Sequence, residues 1–463
     1  MNSEELPAPS NPMAVARRIL PDWQNEDGQM VCRRWRGSWM RWSRTHWREI
    51  DEEQIRKDMY ERLEHAVFLV SGKGEQMEAR EWAPTKPKIS NLLDALGSIT
   101  LLPTDVDAPA WLDGTGADTA GWGPIVACTN GLLRIRDRQL LPHTPDFFNH
   151  VSVPFAYDPN ASAPEWDRFL ADIWAEAPDA IAALQEWFGY VLSGRTDQQK
   201  ILLMVGPSRS GKGTIARVMK ELVGKNNLAG PTLAGLGTNF GLATLIGKPL
   251  AVISDARLSG NDSQVVERLL TISGEDTIDI DRKFRVQWTG KLPTRLMMLS
   301  NELPHFGDSS GVIARRFIVL NFTRSWLGQE DPTLLDRLVA EMPGILNWAL
   351  DGLARLQCTR RITEPSASRE AITTMQDTAS PTSAFIRERC ATGPACTIPV
   401  DNLWVIWREW AEDNGVKPGS KQVFGRNLQS AIPQLTLTRP RDGESRVRTY
   451  TGITVRPVAG TAD

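Results

Sequence analysis

The segment ILLMVGPSRSGKGT, residues 201–214, constrains the fold of this chain more than any other stretch. Five apolar residues, Ile201 to Val205, read as a buried strand that runs straight into Gly206, Pro207, Ser208, Arg209, Ser210, Gly211, Lys212, Gly213 and Thr214. Beyond them Ile215–Leu222 has helical spacing. A glycine-rich turn at a helix start lets successive backbone N–H groups face one point, where unpaired donors and the helix dipole attract phosphate. Lys212 then reaches the terminal phosphates, so strand, loop and helix together predict an ATP-binding loop inside an α/β unit. The position after the lysine, where a serine or threonine usually holds Mg²⁺, is Gly213. Thr214 follows one residue late and stands as a candidate metal contact.

Three more short apolar runs, Leu250–Ser254, Arg295–Ser300 and Phe317–Asn321, read as parallel strands of the same unit. Asp255 ends the first of them, where a carboxylate can meet Mg²⁺, and the acid that orients water is left open between Asp255 and the distant Glu267. Asn301 follows the second, placed to sense a γ-phosphate or attacking water. Arg315 and Arg316 precede the third. An arginine pair before a strand is more often solvated or salt-bridged than catalytic, but here it follows a phosphate loop, a metal acid and a sensor in that order. Between the strands, IDIDRKFRVQW alternates apolar and polar residues as a hairpin does, with Asp281, Arg282 and Lys283 where it reverses.

In that order GPSRSGKGT, LAVISDAR, ISGEDTIDIDRKFR and LPTRLMMLSNELP resemble motifs A, B, B′ and C of the superfamily 3 helicases, in the phage and plasmid primase-helicase branch. NGLLRIRDRQLLPHTPDFF through LQEWFGYVLSG resembles the poxvirus-type helicase N-terminal domain, and the chain's end resembles the branch's winged helix. The resemblance implies an α/β fold: a P-loop AAA+ core, an α+β N-terminal domain and a C-terminal winged helix. It implies an ATP hydrolase and DNA helicase that uses ATP and Mg²⁺ and translocates on single-stranded or forked DNA as a homo-hexameric ring, in phage, plasmid or mobile-element replication. Of the arginine pair it favours Arg316 as the finger for a neighbouring subunit's nucleotide. It also places Lys283, with Arg282, Phe284 and Arg285, in a DNA channel. The single acid of motif B and Gly213 depart from the family pattern.

A chain of 463 residues with 41% hydrophobic and 24% charged residues divides naturally into several domains. The expected division is a flexible lead-in over 1–25, the N-terminal domain with its helical collar over 26–195, the ATPase core over 196–356, a linker with one helix in it over 357–383 and the winged helix over 384–463. Within the second, one helix is expected from Asp51 to Val70. The Arg/Trp stretch near 33–48 reads as short strands with core tryptophans rather than as a DNA site. Near the end, Lys421 and Arg426 on a recognition helix, and Arg439 and Arg441 on a wing, form a local basic excess in a chain of net charge −3. Five scattered cysteines without CxxC, and five histidines without metal-pair spacing, give no zinc site. With no metal-binding cysteine set and no acidic pair followed by histidine ahead of Phe155, primer synthesis is not expected of this chain, and a separate primase is a candidate partner. The lack of a long apolar run or of a signal-type N-terminus points to the cytoplasm of a bacterial host and no membrane. Two rivals stay open: a DNA-binding initiator or regulator using ATP as a conformational switch, and a small-molecule kinase, which needs a lid and acceptor pocket after the loop.

Overall fold

Five strands lie parallel in one sheet: β1 (Ile201–Val205), β2 (Leu228–Ala229), β3 (Leu250–Ile253), β4 (Arg295–Ser300) and β5 (Phe317–Asn321), ordered β2-β3-β4-β1-β5. The structure is a computed structural model that describes residues 4–71, 76–106, 108–112, 125–256, 263–283, 285–304, 306, 311–442 and 445–456. The strands read as unbroken apolar runs because both faces of a parallel sheet are covered. Leu202, Met204, Ile318 and Leu320 pack on one side with the helices Pro178–Leu192, Lys212–Val223 and Met342–Thr359. Ile201, Leu203, Phe317 and Val319 face the other side, against the helix Ser263–Gly274. Buried Arg295 ties the sheet to the first group, donating to the Val191 carbonyl at 2.7 Å and the Gly194 carbonyl at 3.2 Å.

The edge strand β5 is covered: the one helix expected in the linker stretch forms, and it packs on the sheet instead of standing free. The helix Ser366–Ala379 lies against it, and the fully buried Ser368 hydroxyl accepts the Val319 N–H at 2.9 Å. Serine and threonine dominate this helix, but Ala371, Ile372 and Met375 point into the core. Three apolar residues on one face suffice for a helix that caps an edge.

The expected lead-in is also folded. Asn11 caps the helix Pro12–Ile19 by accepting the Ala14 N–H at 3.1 Å, and Leu6, Val15, Ile19 and Trp23 are buried with the helix Lys86–Ile99. The Pro/Asn/Ser text was capping chemistry rather than linker composition. The helix expected to reach Val70 stops at Leu63, and Val67–Ser71 instead forms a strand paired with Met77–Glu81. After His65 and Ala66 the run VFLV favours a strand. The Arg/Trp stretch folds as expected: Cys32–Trp35 and Ser38–Trp42 pair across Arg36 and Gly37, both at positive φ, and Trp47–Ile50 adds a third strand. Trp35, Trp39 and Trp47 are core residues.

The C-terminal unit runs helix Pro381–Arg389, strand Cys390–Pro399, helices Val400–Asp413 and Lys421–Ala431, then strands Thr436–Thr438 and Thr449–Val455. Its sheet places Thr449–Val455 between the other two strands, and Phe385, Trp407, Trp410 and Phe424 fill its own core. A two-residue ladder, Arg441–Asp442 with Ser445–Arg446, sits between the last two strands.

Candidate functional site

The turn after β1 can be built only with its glycines. Gly206 sits at φ +152°, where a Cβ would meet the Phe322 carbonyl oxygen at 2.2 Å, and Gly211 at φ +98°, where a Cβ would meet Ile173 Cδ1 at 2.9 Å. Arg209 between them is also left-handed, at φ +57°. Lys212 opens the helix Lys212–Val223 and is 7% exposed. Its Nζ donates to the carbonyls of Gly206 at 2.6 Å and Pro207 at 2.7 Å, and to Ser210 Oγ at 3.2 Å. Burial holds its pKa below that of an ordinary lysine. A cation enclosed by loop carbonyls beside a helix N-terminus fits a polyphosphate chain, whose oxygens would replace those carbonyls.

Strand order delivers the next two residues. Because β4 lies beside β1, Asn301 arrives next to the loop, its Oδ1 3.5 Å from Lys212 Nζ. Because β3 lies beside β4, Asp255 emerges at the same end; the Ala256 N–H donates to the Leu299 carbonyl at 2.9 Å, and Ser300 Oγ to the Ala256 carbonyl at 3.4 Å. Asp255 adopts φ +57°, a left-handed conformation that aspartate tolerates better than most residues and that concentrates at functional sites. Thr214 follows within the first helical turn. A side chain at Gly213 would meet only Arg217 Nη2, at 3.6 Å, so a hydroxyl there would fit sterically. Among the described residues no group of three or more His, Cys, Asp or Glu side chains could hold a metal. Magnesium carried by phosphates needs only one or two protein oxygens, and Asp255 and Thr214 can supply them.

Arg316 is not brought to this end. It precedes β5, whose Phe317 lies level with Ile201 while Asn321 lies level with Val205, so the strand separates it from the loop by about 15 Å. Its Nη1 donates to Gln199 Oε1 at 2.5 Å, whereas the neighbouring Arg315 is exposed. Glu267 is exposed on its helix.

The segment after β5 clasps the loop and was passed over in the sequence. The Trp326 N–H donates to the Arg209 carbonyl at 2.9 Å, Ser325 Oγ to the Ser208 carbonyl at 2.7 Å, and Arg209 pairs with Glu330 at 3.3 Å. Beside it opens a cavity of about 680 Å³ lined by Phe169, Gly211, Thr214, Arg217, Trp326 and Leu334 among others. The available signal was the apolar pair Trp326-Leu327 in the otherwise polar turn RSWLGQED.

The hairpin Ile278–Arg282 with Arg285–Gly290 forms as its alternation predicts, with Ile278, Ile280 and Trp288 buried. Lys283 is exposed at its turn. Arg282 does not stand out at the hairpin tip beside Lys283: it is 10% exposed and turns back to the N-terminal sheet, 3.6 Å from Glu49 Oε1 and 3.5 Å from Ser38 Oγ. Phe284 lies outside the described residues, and the Arg285 backbone opens the second strand. In the C-terminal unit Arg426 and Arg439 are exposed, Lys421 is paired with the Asp401 carboxylate, and Arg441 belongs to the two-residue ladder.

Three segments match known family profiles: residues 16–175 the "D5 N terminal like" family, residues 204–316 a family of unknown function (DUF5906), and residues 378–449 the "Poxvirus D5 protein-like" family. The chain is thus D5-like at both flanks. Two solved structures of the NrS-1 C terminal region share the fold. One aligns over 96% of this chain and 99% of that chain, with 11% identity and a TM-score of 0.54. The other aligns over 96% of this chain and 100% of that chain, with 10% identity and a TM-score of 0.51. Among the described residues no helix is long and apolar enough to cross a membrane.

Proposed function

We propose that this D5-like chain is an ATP-dependent DNA helicase of the superfamily 3 type, with a P-loop AAA+ core and a C-terminal winged helix, working as a homo-hexameric ring in replication. The observation that carries the reading is the convergence of Lys212, Asn301 and Asp255 at one end of a parallel sheet whose chain-order strands lie 2-3-4-1-5. In this reading backbone N–H groups of 206–214 hold the phosphates of ATP, and Lys212 leaves the loop carbonyls to meet the β- and γ-phosphates. Asn301 orients the attacking water or reads the γ-phosphate. Asp255, with Thr214 in the first turn of the helix, would hold Mg²⁺, which when bound would supply charge neutralisation at the phosphates. The cavity beside Trp326 and Phe169 takes the nucleoside.

The distance between Arg316 and its own loop favours a finger that acts on the next subunit, which makes the ring a requirement of hydrolysis rather than an ornament. Lys283, exposed on the hairpin, provides a phosphate contact to the translocating strand. Arg426, Arg439 and Arg441 serve duplex binding. The test is ATP turnover with and without single-stranded DNA, strand separation on a fork, and native mass of the assembly. DNA-stimulated turnover by a hexamer that unwinds is expected. A chain that hydrolyses ATP without unwinding would instead be an initiator or regulator switched by ATP. Phosphoryl transfer to a small acceptor with indifference to DNA would make it a kinase.

A further inference from the structure

A second cleft, about 470 Å³, lies between the N-terminal three-stranded sheet and the base of the hairpin. Five cationic side chains line it: Arg36 and Arg48 from the sheet, Lys248 from the segment before β3, and Arg282 and Lys291 from the hairpin and its exit. Glu49 is the one carboxylate among its described lining residues, and it already lies 3.6 Å from the Arg282 guanidinium. In a chain of net charge −3 this is a concentrated positive concavity, and low-dielectric walls focus such a field. Lys248 donates to a neutral carbonyl, that of Asn226, a contact that leaves its charge in the cleft, and Arg36 stacks 4.8 Å over Trp35.

Trp288 and His150 form aromatic walls of the cleft, Trp288 at 5% exposed, with their unpartnered ring nitrogens buried away from solvent. Burial first, then His46 and Arg36, hold the His150 imidazole down to about 4, as expected of a ring in positive surroundings. Arginine forks and lysines around one concavity are a donor set for phosphate oxygens.

We propose that this cleft is a phosphate-binding site for a nucleotide unit, separate from the phosphate loop and shared between the N-terminal sheet and the hairpin. The unit comes either from a free nucleotide or from a DNA strand. Either one would bridge the two parts of the molecule by supplying the anion that Arg36, Arg48, Lys248 and Lys291 surround.

The site does not rest on the helicase reading, and its test avoids the phosphate loop. The full chain carrying Lys212→Ala is compared with one that also carries Arg48→Ala and Lys291→Ala, both exposed residues remote from the loop. Binding of dAMP and of a short oligo(dT) is measured, with melting temperature as the control of fold. The added pair is expected to weaken at least one probe roughly tenfold, and for the strand to lower the salt slope by about two phosphate contacts. Loss confined to dAMP assigns the site to a free nucleotide, and loss confined to oligo(dT) assigns it to DNA. Unchanged affinity for both probes overturns the site. Should the combined variant melt early, Lys291→Gln alone is expected to weaken one probe roughly threefold, and no change there overturns it equally. With Lys212 intact, Arg48→Ala/Lys291→Ala leaves ATP turnover without DNA unchanged, so failure of the phosphate-loop reading and failure of this one remain distinguishable.

Discussion

At the scale of single residues, Lys212 and His150 show how much burial decides. Lys212→Ala removes the only lysine among the loop carbonyls of Gly206 and Pro207 and is expected to abolish ATP turnover while leaving far-UV dichroism and melting intact. Turnover in a folded Lys212→Ala chain would move the site elsewhere. His150 makes a prediction about acid. Its folded pKa of about 4 lies below the usual 6.5, so the unfolded chain takes up a proton that the folded chain refuses between those values. Stability is unaffected above pH 6.5, falls as pH drops from there toward 4, and loses up to about 3 kcal/mol in total. Urea denaturation at pH 7 and pH 4.5 should show this loss, and His150→Gln should flatten it. The loop glycines and Lys212 were legible because their chemistry is local in sequence. Arg282 was not: its charge suited a DNA contact, and only the placement of Glu49 and Ser38, more than two hundred residues earlier, turned it inward.

At the scale of elements, apolar runs were enough to place four of the five strands of the parallel sheet, but not to find what covers its edge. The missing strand, Leu228–Ala229, is two residues long and has no run to detect. The helix Ser366–Ala379 was expected in the linker stretch, but its docking on the sheet was not, because three core residues in text of Ser, Thr, Arg and Pro give little contrast. Its docking is specific nonetheless, because the Ser368 hydroxyl accepts an N–H from the middle of β5. Ser368→Ala leaves that buried donor unpaired and should cost about 1–3 kcal/mol of stability. The denaturation midpoint should shift accordingly, with Ser368→Thr losing less if the hydroxyl is retained. A midpoint unchanged in Ser368→Ala would mean that water reaches Val319. The Pro12–Ile19 helix was missed for a related reason, since the Asn-Pro start that caps it has the composition of a loop.

At the scale of the whole molecule, the sheet places the loop at one end and Arg316 at the other, so a single chain cannot bring both to one nucleotide. An Arg316→Ala chain should therefore bind ATP normally but hydrolyse it on the order of 10³-fold more slowly, provided the arginine serves the neighbour. Mixing Arg316→Ala with Lys212→Ala chains then creates junctions where an intact loop meets an intact finger, and part of the turnover should return. No recovery in rings proven to be mixed would reduce Arg316 to its hydrogen bond with Gln199. The hairpin adds a separate requirement, because Lys283 stands away from the phosphate loop and can alter grip without altering chemistry. Lys283→Ala should keep its turnover in the absence of DNA, lose most stimulation by single-stranded DNA, and separate a fork poorly at moderate salt. One lost phosphate contact is modest in one chain but, in the proposed ring, would repeat in every subunit that grips and releases the strand. Equal unwinding by Lys283→Ala and the unsubstituted chain on the same fork would take the hairpin out of the DNA path and leave the ATPase as a switch.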